Sequence, residues 1–176
     1  MRPVRRAAVT ARTLCRVTDL VIKPSRYGAP AAQTLVAAAQ ADLAARYGSG
    51  DETSIEAVQF DPPEGAFLVA YLNGEPVACG GWRTLSHFTD AGVAEDVAEI
   101  KRMYSVPTAR GKGTAQALLA ALEESARESG MHRMVLETGR RQPEAIRFYE
   151  KCGYEQIANY GYYKDEADCV SFGRDL

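Results

Sequence analysis

The chain has 176 residues, of which 46% are apolar and 25% charged. This is enough for one domain with a real core, and it excludes a wholly disordered or collagen-like chain. The four cysteines lack CxxC spacing and only two histidines accompany them, which excludes a standard zinc site and argues against a disulfide scaffold. No apolar run is long enough to span a membrane.

Charge is distributed unevenly along the chain. Residues 1–16 hold five arginines and no acid, so the rest has 16 basic and 23 acidic residues. An acidic body argues against a nucleic-acid protein, because phosphate binding needs a basic surface. The basic N-terminal arm at 1–16 keeps three interpretations open: a transit peptide, a nucleic-acid arm or an extended start. We expect one cytoplasmic domain over 17–176.

The first predicted elements are a strand and a helix. Residues 17–23 predict a short strand that Pro24 ends. The alanine-rich run 30–47 predicts an amphipathic helix, and Gly48 supplies its stop signal. The polar segment 48–65 predicts a loop with at most one helical turn.

A hairpin is predicted next. The apolar runs 66–72 and 76–85 flank Asn73-Gly74, the strongest short-range hairpin signal. Gly80-Gly81 within the second run indicates a bulge or the close approach of another group.

The second half of the chain alternates strands and helices. Strands are predicted at 97–106, 133–138, 154–159 and 167–173, and helices at 112–129 and from Pro143 to Gly153. The element order β-α-ββ-β-α-β-α-β-β predicts an α/β (α+β mixed) fold: one domain with a central mixed, twisted sheet and helices on both faces. The unit 97–138 predicts a right-handed crossover between parallel strands.

The turn after the strand at 97–106 has the features of an anion site. It contains Gly111 and Gly113 and opens the helix at 112–129. A helix start offers unpaired N–H groups and a positive dipole end, and glycine leaves them accessible to a phosphate. The alternative is a tight turn without a ligand. The spacing fits neither a P-loop nor a dinucleotide fingerprint.

Arg110, Gly113 and Ala115 fill the pattern [QR]-x-x-G-x-[GA]. The turn therefore resembles the acyl-CoA pyrophosphate loop of the GNAT superfamily of acyl-CoA-dependent N-acyltransferases. In this superfamily the preceding strand carries apolar residues at spacing three and then two across a bulge. Ile100 and Met103 match that spacing, whereas Ser105 stands where valine is usual.

A second motif, at 142–154, is similar to the superfamily's N-x-x-A-x-x-[FL]-Y-x-x-x-G-[FY] helix. The matching residues are Ala145, Phe148, Tyr149, Gly153 and Tyr154, and Gln142 replaces the asparagine. The resemblance implies that Tyr149 is the general acid that protonates the departing CoA thiolate. The alternative is a core tyrosine, because Tyr149 also lies on an apolar stripe of its helix.

The resemblance implies acetyl-CoA as co-substrate, no metal, and direct attack by an amine in a ternary complex. Backbone groups on the bulged strand would pair with the pantetheine amides, and an N–H near Met103 or Tyr104 would stabilise the oxyanion. The cofactor-binding residues expected on this basis are Met103, Tyr104, Ser105, Arg110, Gly111, Lys112, Gly113, Thr114, Ala115, Gln142, Ala145 and Phe148.

A general base is needed because an alkyl ammonium must lose its proton before it attacks. Glu99 is the first candidate, on the strand expected to hold the thioester. The alternative is an ion-paired strand residue, because Lys101 and Arg102 follow it. Glu137 is the second candidate and His87 the third.

The acceptor is expected to be a small-molecule or peptide amine that the sequence does not identify. Asp42 and Trp82 are candidates to hold an ammonium group, or else face water and the core respectively. Two other functions stay open: an acyl-CoA-binding sensor without turnover, and an interaction protein that uses the basic arm. We expect no nucleic-acid or membrane partner, and a homodimer stays open.

Overall fold

The computed structural model describes residues 19–85 and 96–176. The basic arm and His87 lie outside the described residues. Among the helices of the described chain, none has the length and apolar character that a membrane crossing requires.

Seven strands, three α-helices and two short 3-10 turns make up the described chain. The strands are β1 (Leu20–Pro24), β2 (Gly65–Leu72), β3 (Glu75–Thr84), β4 (Val97–Ser105), β5 (Arg133–Gly139), β6 (Glu155–Ile157) and β7 (Cys169–Asp175). The helices are α1 (Pro30–Tyr47), α2 (Thr114–Glu128) and α3 (Pro143–Lys151), and the 3-10 turns are Ala57–Phe60 and Pro107–Ala109. The predicted element order is confirmed.

The strands form one mixed sheet in the order β1-β2-β3-β4-β5-β7-β6. Only β4 and β5 are parallel among the described strand pairs, as the 97–138 unit predicts. These two strands pair only from Val97 opposite Arg133 to Glu99 opposite Val135. Since both strands continue beyond that point, the sheet opens between them at their carboxyl ends.

Helices cover both faces of the sheet, as expected. On one face α1 buries Ala32, Leu35 and Val36 against β2 and β3. On the other face α2 buries Leu118, Leu119, Leu122 and Ala126, together with α3. Each buried leucine of this kind stabilises the fold by about 1.5–3 kcal/mol.

Glycine and proline signals set the ends of the helices. Helix α1 spans the predicted residues and ends at Gly48, whose φ of +90° is the left-handed conformation expected there. Helix α2 begins at Thr114 and not at Lys112 as predicted, because its N-cap Gly113 has a φ of +79°. Helix α3 starts at Pro143 and is complete at Lys151, two residues before Gly153.

The predicted hairpin and bulge are both present. Asn73 and Gly74 have positive φ angles of 53° and 86°, as a tight two-residue turn requires. In the β3–β4 pair, Cys79 is opposite Tyr104 and Gly81 is opposite Lys101, so β4 carries one extra residue opposite Gly80. The extra residue bends β4 beside the opening of the sheet.

Candidate active site

A cleft of about 500 Å³ occupies the opening between β4 and β5. This volume lies within the usual range for small-molecule sites, which is about 300–1,000 Å³. Its floor is formed by the ends of β4 and β5, one wall by α3, and the other wall by α1 and the loop after it. The lining includes Lys101, Met103, Glu137, Gln142, Ala145 and Tyr149.

The turn between β4 and α2 presents its backbone to solvent. Gly111 and Gly113 have φ angles of +73° and +79°, and a Cβ at either position would meet no atom within 4 Å. The N–H of Ala117 donates to the carbonyl of Gly113, which closes the first turn of α2. The N–H groups that precede Ala117 at the helix start are therefore available to an anion. Lys112 is exposed beside them, whereas Thr114 is buried.

Arg110 ties this turn to the end of β4. Its Nε donates to the carbonyl of Ser105 at 3.1 Å, and its guanidinium lies 5.8 Å from the centre of the Tyr104 ring. Its Nη2 lies 3.8 Å from Asp42 on α1. The side chain of Arg110 is also partly exposed to solvent. These contacts place its positive charge beside the glycine turn.

The β4 bulge is centred on Arg102, whose φ of +58° is rare for a residue other than glycine. Because of the extra residue, Ile100 and Met103 both pack toward the α2 face, although they are three positions apart. Tyr104 packs on the α1 face. Within the described sheet, Arg102 and Met103 have no register partner on β3. On the other edge of β4, pairing with β5 ends at Glu99, so Arg102 and Met103 line the cleft without a register partner on β5 either.

Tyr149 lies on α3 and is only 7% exposed. Its ring packs against Phe148, Tyr154 and Phe172, and its hydroxyl donates to the sulfur of Met103 at 3.5 Å. Burial, with a smaller effect from Cys152, raises the pKa of Tyr149. Its hydroxyl is therefore protonated at neutral pH. Tyr149 packs in the core and also lines the cleft, and its role as general acid stays a prediction.

Gln142 and Ala145 join Tyr149 on the cleft wall, whereas Phe148 packs against the α2-side core. Gln142 is the N-cap of α3, and its side-chain oxygen accepts a hydrogen bond from Thr138 at 3.4 Å. This contact holds the start of α3 against the end of β5.

Glu99 is 2% exposed and forms two ion pairs. One oxygen accepts a hydrogen bond from Nε of Arg83 at 2.9 Å, and the other lies 3.1 Å from Nζ of Lys101. These contacts are those of the ion-paired alternative. Glu99 lies outside the cleft lining of the described chain, and its role as general base stays a prediction.

Glu137 lies on β5 and lines the cleft directly. Its Oε2 is 3.4 Å from Nζ of Lys101, and its Oε1 is 3.9 Å from the thiol of Cys169. Burial raises the pKa of Glu137; Glu99 adds to this effect, whereas Lys101 opposes it. A carboxylate with a raised pKa at the edge of a cleft has the properties of a general base.

The loop after α1 is fixed over the cleft by Asp51, a residue that the sequence analysis did not select. Its carboxylate pairs with Arg102 and accepts a hydrogen bond from the hydroxyl of Tyr163 at 3.2 Å. Burial opposes its ionisation, but the hydrogen bond from Thr53 and the charge of Arg102 outweigh burial and lower the pKa of Asp51. No local sequence signal marks this contact, because Asp51 and Tyr163 are 112 positions apart.

The end of α1 also reaches the start of α3. Arg46 lies 2.6 Å from Glu144 and donates to the carbonyl of Arg141. Tyr47 packs so closely on Gly139 that a Cβ there would lie 2.1 Å from its hydroxyl oxygen. These contacts connect the two walls of the cleft beyond the ends of β4 and β5.

The two residues considered for binding the acceptor ammonium group, Trp82 and Asp42, lie in different environments. Trp82 is fully buried and its indole N–H donates to Ser125 at 3.1 Å, so it is a core residue. Asp42 lines the cleft and lies 3.4 Å from Arg46.

The three cysteines in the described ranges have raised pKa values, caused chiefly by burial. The pKa of Cys79 is raised to about 12, and those of Cys152 and Cys169 are also raised. A protonated thiol is a poor nucleophile. Across residues 19–85 and 96–176, no group of three or more His, Cys, Asp or Glu side chains is arranged to hold a metal ion.

The described chain thus combines a mixed α/β sheet, a cleft between two splayed parallel strands and a glycine turn at the start of a helix. The sequence model of the Acetyltransferase (GNAT) family matches residues 35–154. The chain therefore belongs to the GNAT family.

Three similar proteins illustrate the relationship. The uncharacterized N-acetyltransferase YjgM of Escherichia coli (strain K12) is 39% identical over 98 residues, which are 56% of each chain. The chain thus spans just over half the length of this curated relative. The crystal structure of a protein from Klebsiella pneumoniae has a TM-score of 0.71 at 27% identity, and the match covers 90% of this chain and 98% of that chain. A GNAT family acetyltransferase from Elizabethkingia anophelis with acetyl-CoA bound has a TM-score of 0.64 at 18% identity, covering 89% and 98%.

Proposed function

We propose that this protein transfers an acetyl group from acetyl-CoA to a primary amine by direct attack in a ternary complex. The observation that carries the proposal is the cleft where β4 and β5 separate, because the bulged part of β4 and Tyr149 line it together. The glycine turn follows the end of β4, and its Arg110 lies 3.8 Å from Asp42 in the cleft lining. The Elizabethkingia relative with acetyl-CoA bound supports the choice of co-substrate.

The pyrophosphate would bind at the start of α2, where N–H groups and the helix dipole favour an anion. Arg110 and Lys112 would add positive charge at the same place. The pantetheine would run along the bulge toward Met103 and Tyr104, whose backbone groups are the expected donors to the thioester oxygen. Such donors stabilise the tetrahedral oxyanion well because they are fixed before the reaction begins.

The chemistry needs two proton transfers. The amine loses a proton to a base as its nitrogen attacks the thioester carbon, and the C–S bond then breaks to release CoA. Glu137 is the base that the geometry favours, since it faces the cleft and its carboxylate pKa is raised. Tyr149 is the acid, because its protonated hydroxyl lies at the cleft wall beside Met103.

The general acid is less critical to the reaction than the general base. A CoA thiolate is a good leaving group, so the hydroxyl of Tyr149 assists departure and does not have to drive it. The raised pKa values of the described cysteines agree with a route that needs no acyl-cysteine intermediate.

The experiment that tests the proposal is a panel of amines assayed for thiol release from acetyl-CoA. Alkyl amines, amino acids and peptides with a free N-terminus are included, and calorimetry measures acetyl-CoA binding in parallel. Amine-dependent thiol release supports the enzyme. If acetyl-CoA binds tightly but no amine in the panel causes thiol release, the result would instead support an acyl-CoA-binding sensor without turnover.

A further inference from the structure

Four charged side chains of alternating sign form a continuous row across three strands. Arg83 on β3 bonds to Glu99 on β4 at 2.9 Å, Glu99 lies 3.1 Å from Lys101, and Lys101 lies 3.4 Å from Glu137 on β5. These side chains are only 2–6% exposed. A buried ion pair carries a large desolvation cost, so a row of four charges beside a cleft calls for a functional explanation.

We propose that Lys101 is a positioning residue that holds the Glu137 carboxylate in the cleft, and that Glu99 regulates this hold by sharing the Lys101 ammonium. The inference rests on the proposed function for the role of Glu137 as base. It assigns Glu99 a function through Lys101 and not through the amine.

The strand register explains why Lys101 takes this place. Val97 and Glu99 are opposite Arg133 and Val135, so continued pairing would bring Lys101 opposite Glu137. Backbone pairing ends at Glu99 and Val135, and the Lys101–Glu137 ion pair bridges the strands two positions beyond that last pair. Side chains thus connect the strands where the cleft begins.

The other groups near Glu137 are neutral or held by other partners. The Cys169 thiol is 3.9 Å away, and the backbone at Gly161 packs so closely that a Cβ there would lie 3.1 Å from Oε1. Burial and the charge of Glu99 raise the pKa of Tyr160, which keeps that hydroxyl neutral. Arg102 pairs with Asp51, and Arg83 donates to Glu99 and Gln59. Among residues 19–85 and 96–176, Lys101 is therefore the cation that contacts Glu137.

The sign of each effect follows from the charges. The Lys101 cation favours the ionised form of Glu137, whereas the Glu99 anion opposes it. Replacing Lys101 with methionine removes the cation, so Glu137 should take up its proton at a higher pH. Replacing Glu99 with glutamine leaves the ammonium to Glu137 alone, so Glu137 should take up its proton at a lower pH.

The experiment compares Lys101→Met, Lys101→Arg and Glu99→Gln in the full chain. Two readouts are used: the acidic limb of the kcat/KM profile, and the titration of the Glu137 carboxyl by carbon-13 NMR, assigned with Glu137→Gln. Lys151→Met, at an exposed position on α3, is the matched control for loss of a lysine charge. Circular dichroism confirms that each variant is folded.

We expect the midpoint to rise by about one pH unit in Lys101→Met and to fall by a similar amount in Glu99→Gln, with little change in Lys101→Arg and Lys151→Met. An unmoved Glu137 titration in Lys101→Met would overturn the inference. A Glu99→Gln profile without its acidic limb would also overturn it, since Glu99 itself would then be the base.

The two readouts separate this inference from the proposed function. If no amine supports turnover but the NMR titration moves as expected, the positioning role stands and the acyltransfer proposal fails. If Glu99→Gln does not fold, comparing Lys101→Met with Lys101→Arg still tests whether the charge of Lys101 acts on Glu137, because only Lys101→Met removes that charge.

Discussion

At the scale of single residues, Tyr149 combines a buried ring with a hydroxyl at the cleft. The ring packs in an aromatic cluster, while the hydroxyl makes only a weak contact with the Met103 sulfur. Tyr149→Phe should therefore change the free energy of unfolding by less than about 1 kcal/mol, as expected for a modest hydrogen bond. Turnover should fall by about 100-fold, the usual effect of losing a general acid. Urea unfolding and steady-state kinetics measure the two effects.

The neighbouring Tyr154 provides the matched control for this substitution. Its hydroxyl donates to Glu123 at 3.0 Å, away from the cleft. Tyr154→Phe should cost about 2 kcal/mol of stability, because the bond is to a carboxylate, and leave the turnover of the folded protein unchanged. A Tyr149→Phe variant that is fully active when chemistry limits the rate would make Tyr149 a core residue only.

Some residues of the candidate site can be predicted from the sequence, whereas others cannot. Tyr149, Arg110 and the two turn glycines belong to local motifs, so short patterns select them. Lys101 was noted only as a neighbour of Glu99, because its contact with Glu137 depends on the parallel register of β4 and β5. Asp51 gave no signal, since its partner Tyr163 lies on a distant loop.

At the scale of elements, the turn before α2 should control affinity for CoA. Both Gly113→Ala and Gly113→Glu place a side chain at a φ of +79°, and each should lose about 1–2 kcal/mol of stability. Only the glutamate adds a negative charge where the pyrophosphate is expected. Calorimetry should therefore show acetyl-CoA affinity reduced by about 100-fold or more in Gly113→Glu and little changed in Gly113→Ala. Equal affinities in the two folded variants would place the pyrophosphate elsewhere.

The loop after α1 should depend on the ionised form of Asp51. Because the pKa of Asp51 is lowered in the folded state, its carboxylate contributes stability above its unfolded pKa of about 3.9 and loses this contribution as the pH falls through the lower folded value. Asp51→Asn should destabilise the protein by about 2 kcal/mol at pH 7, because the buried Arg102 loses its charged partner. Urea unfolding at neutral and acidic pH measures the difference.

The difference between Asp51→Asn and the original chain should narrow at acidic pH, where Asp51 is protonated in both states. Asp61→Asn, at an exposed position in the same region, should have little effect at either pH. An Asp51→Asn penalty that persists undiminished in acid would indicate lost packing and not a lost charge.

Element boundaries were largely predictable because local chemistry sets them. Proline at the start of α1 and α3, Gly48 after α1, and Asn73-Gly74 in the hairpin each act within one turn of the backbone. The start of α2 was misplaced by two residues because the φ of Gly113 is not readable from its identity alone. The splay of β4 from β5 depends on packing between distant segments, so no local pattern reveals it.

At the scale of the whole molecule, the sites proposed for acetyl-CoA and for the acceptor amine lie on different sides of the cleft. The glycine turn, α2 and α3 lie on the side where acetyl-CoA is proposed to bind. The α1 end, the loop fixed by Asp51 and the segment carrying Tyr163 lie on the other side of the cleft, where the acceptor amine would enter. The two reactants would then meet at the open ends of β4 and β5, with Met103, Tyr149 and Glu137 around them.

The measurement that tests the central claim most directly is an acetyl balance on the full chain with acetyl-CoA and an amine from the panel. Mass spectrometry follows the amine and the protein while a thiol reagent follows CoA. Direct transfer predicts one N-acetylated amine for each thiol released, with no acetylated protein at any time and a rate about 100-fold lower in Tyr149→Phe. Thiol release without an acetylated amine, or an acetyl group that passes through the protein, would contradict the account.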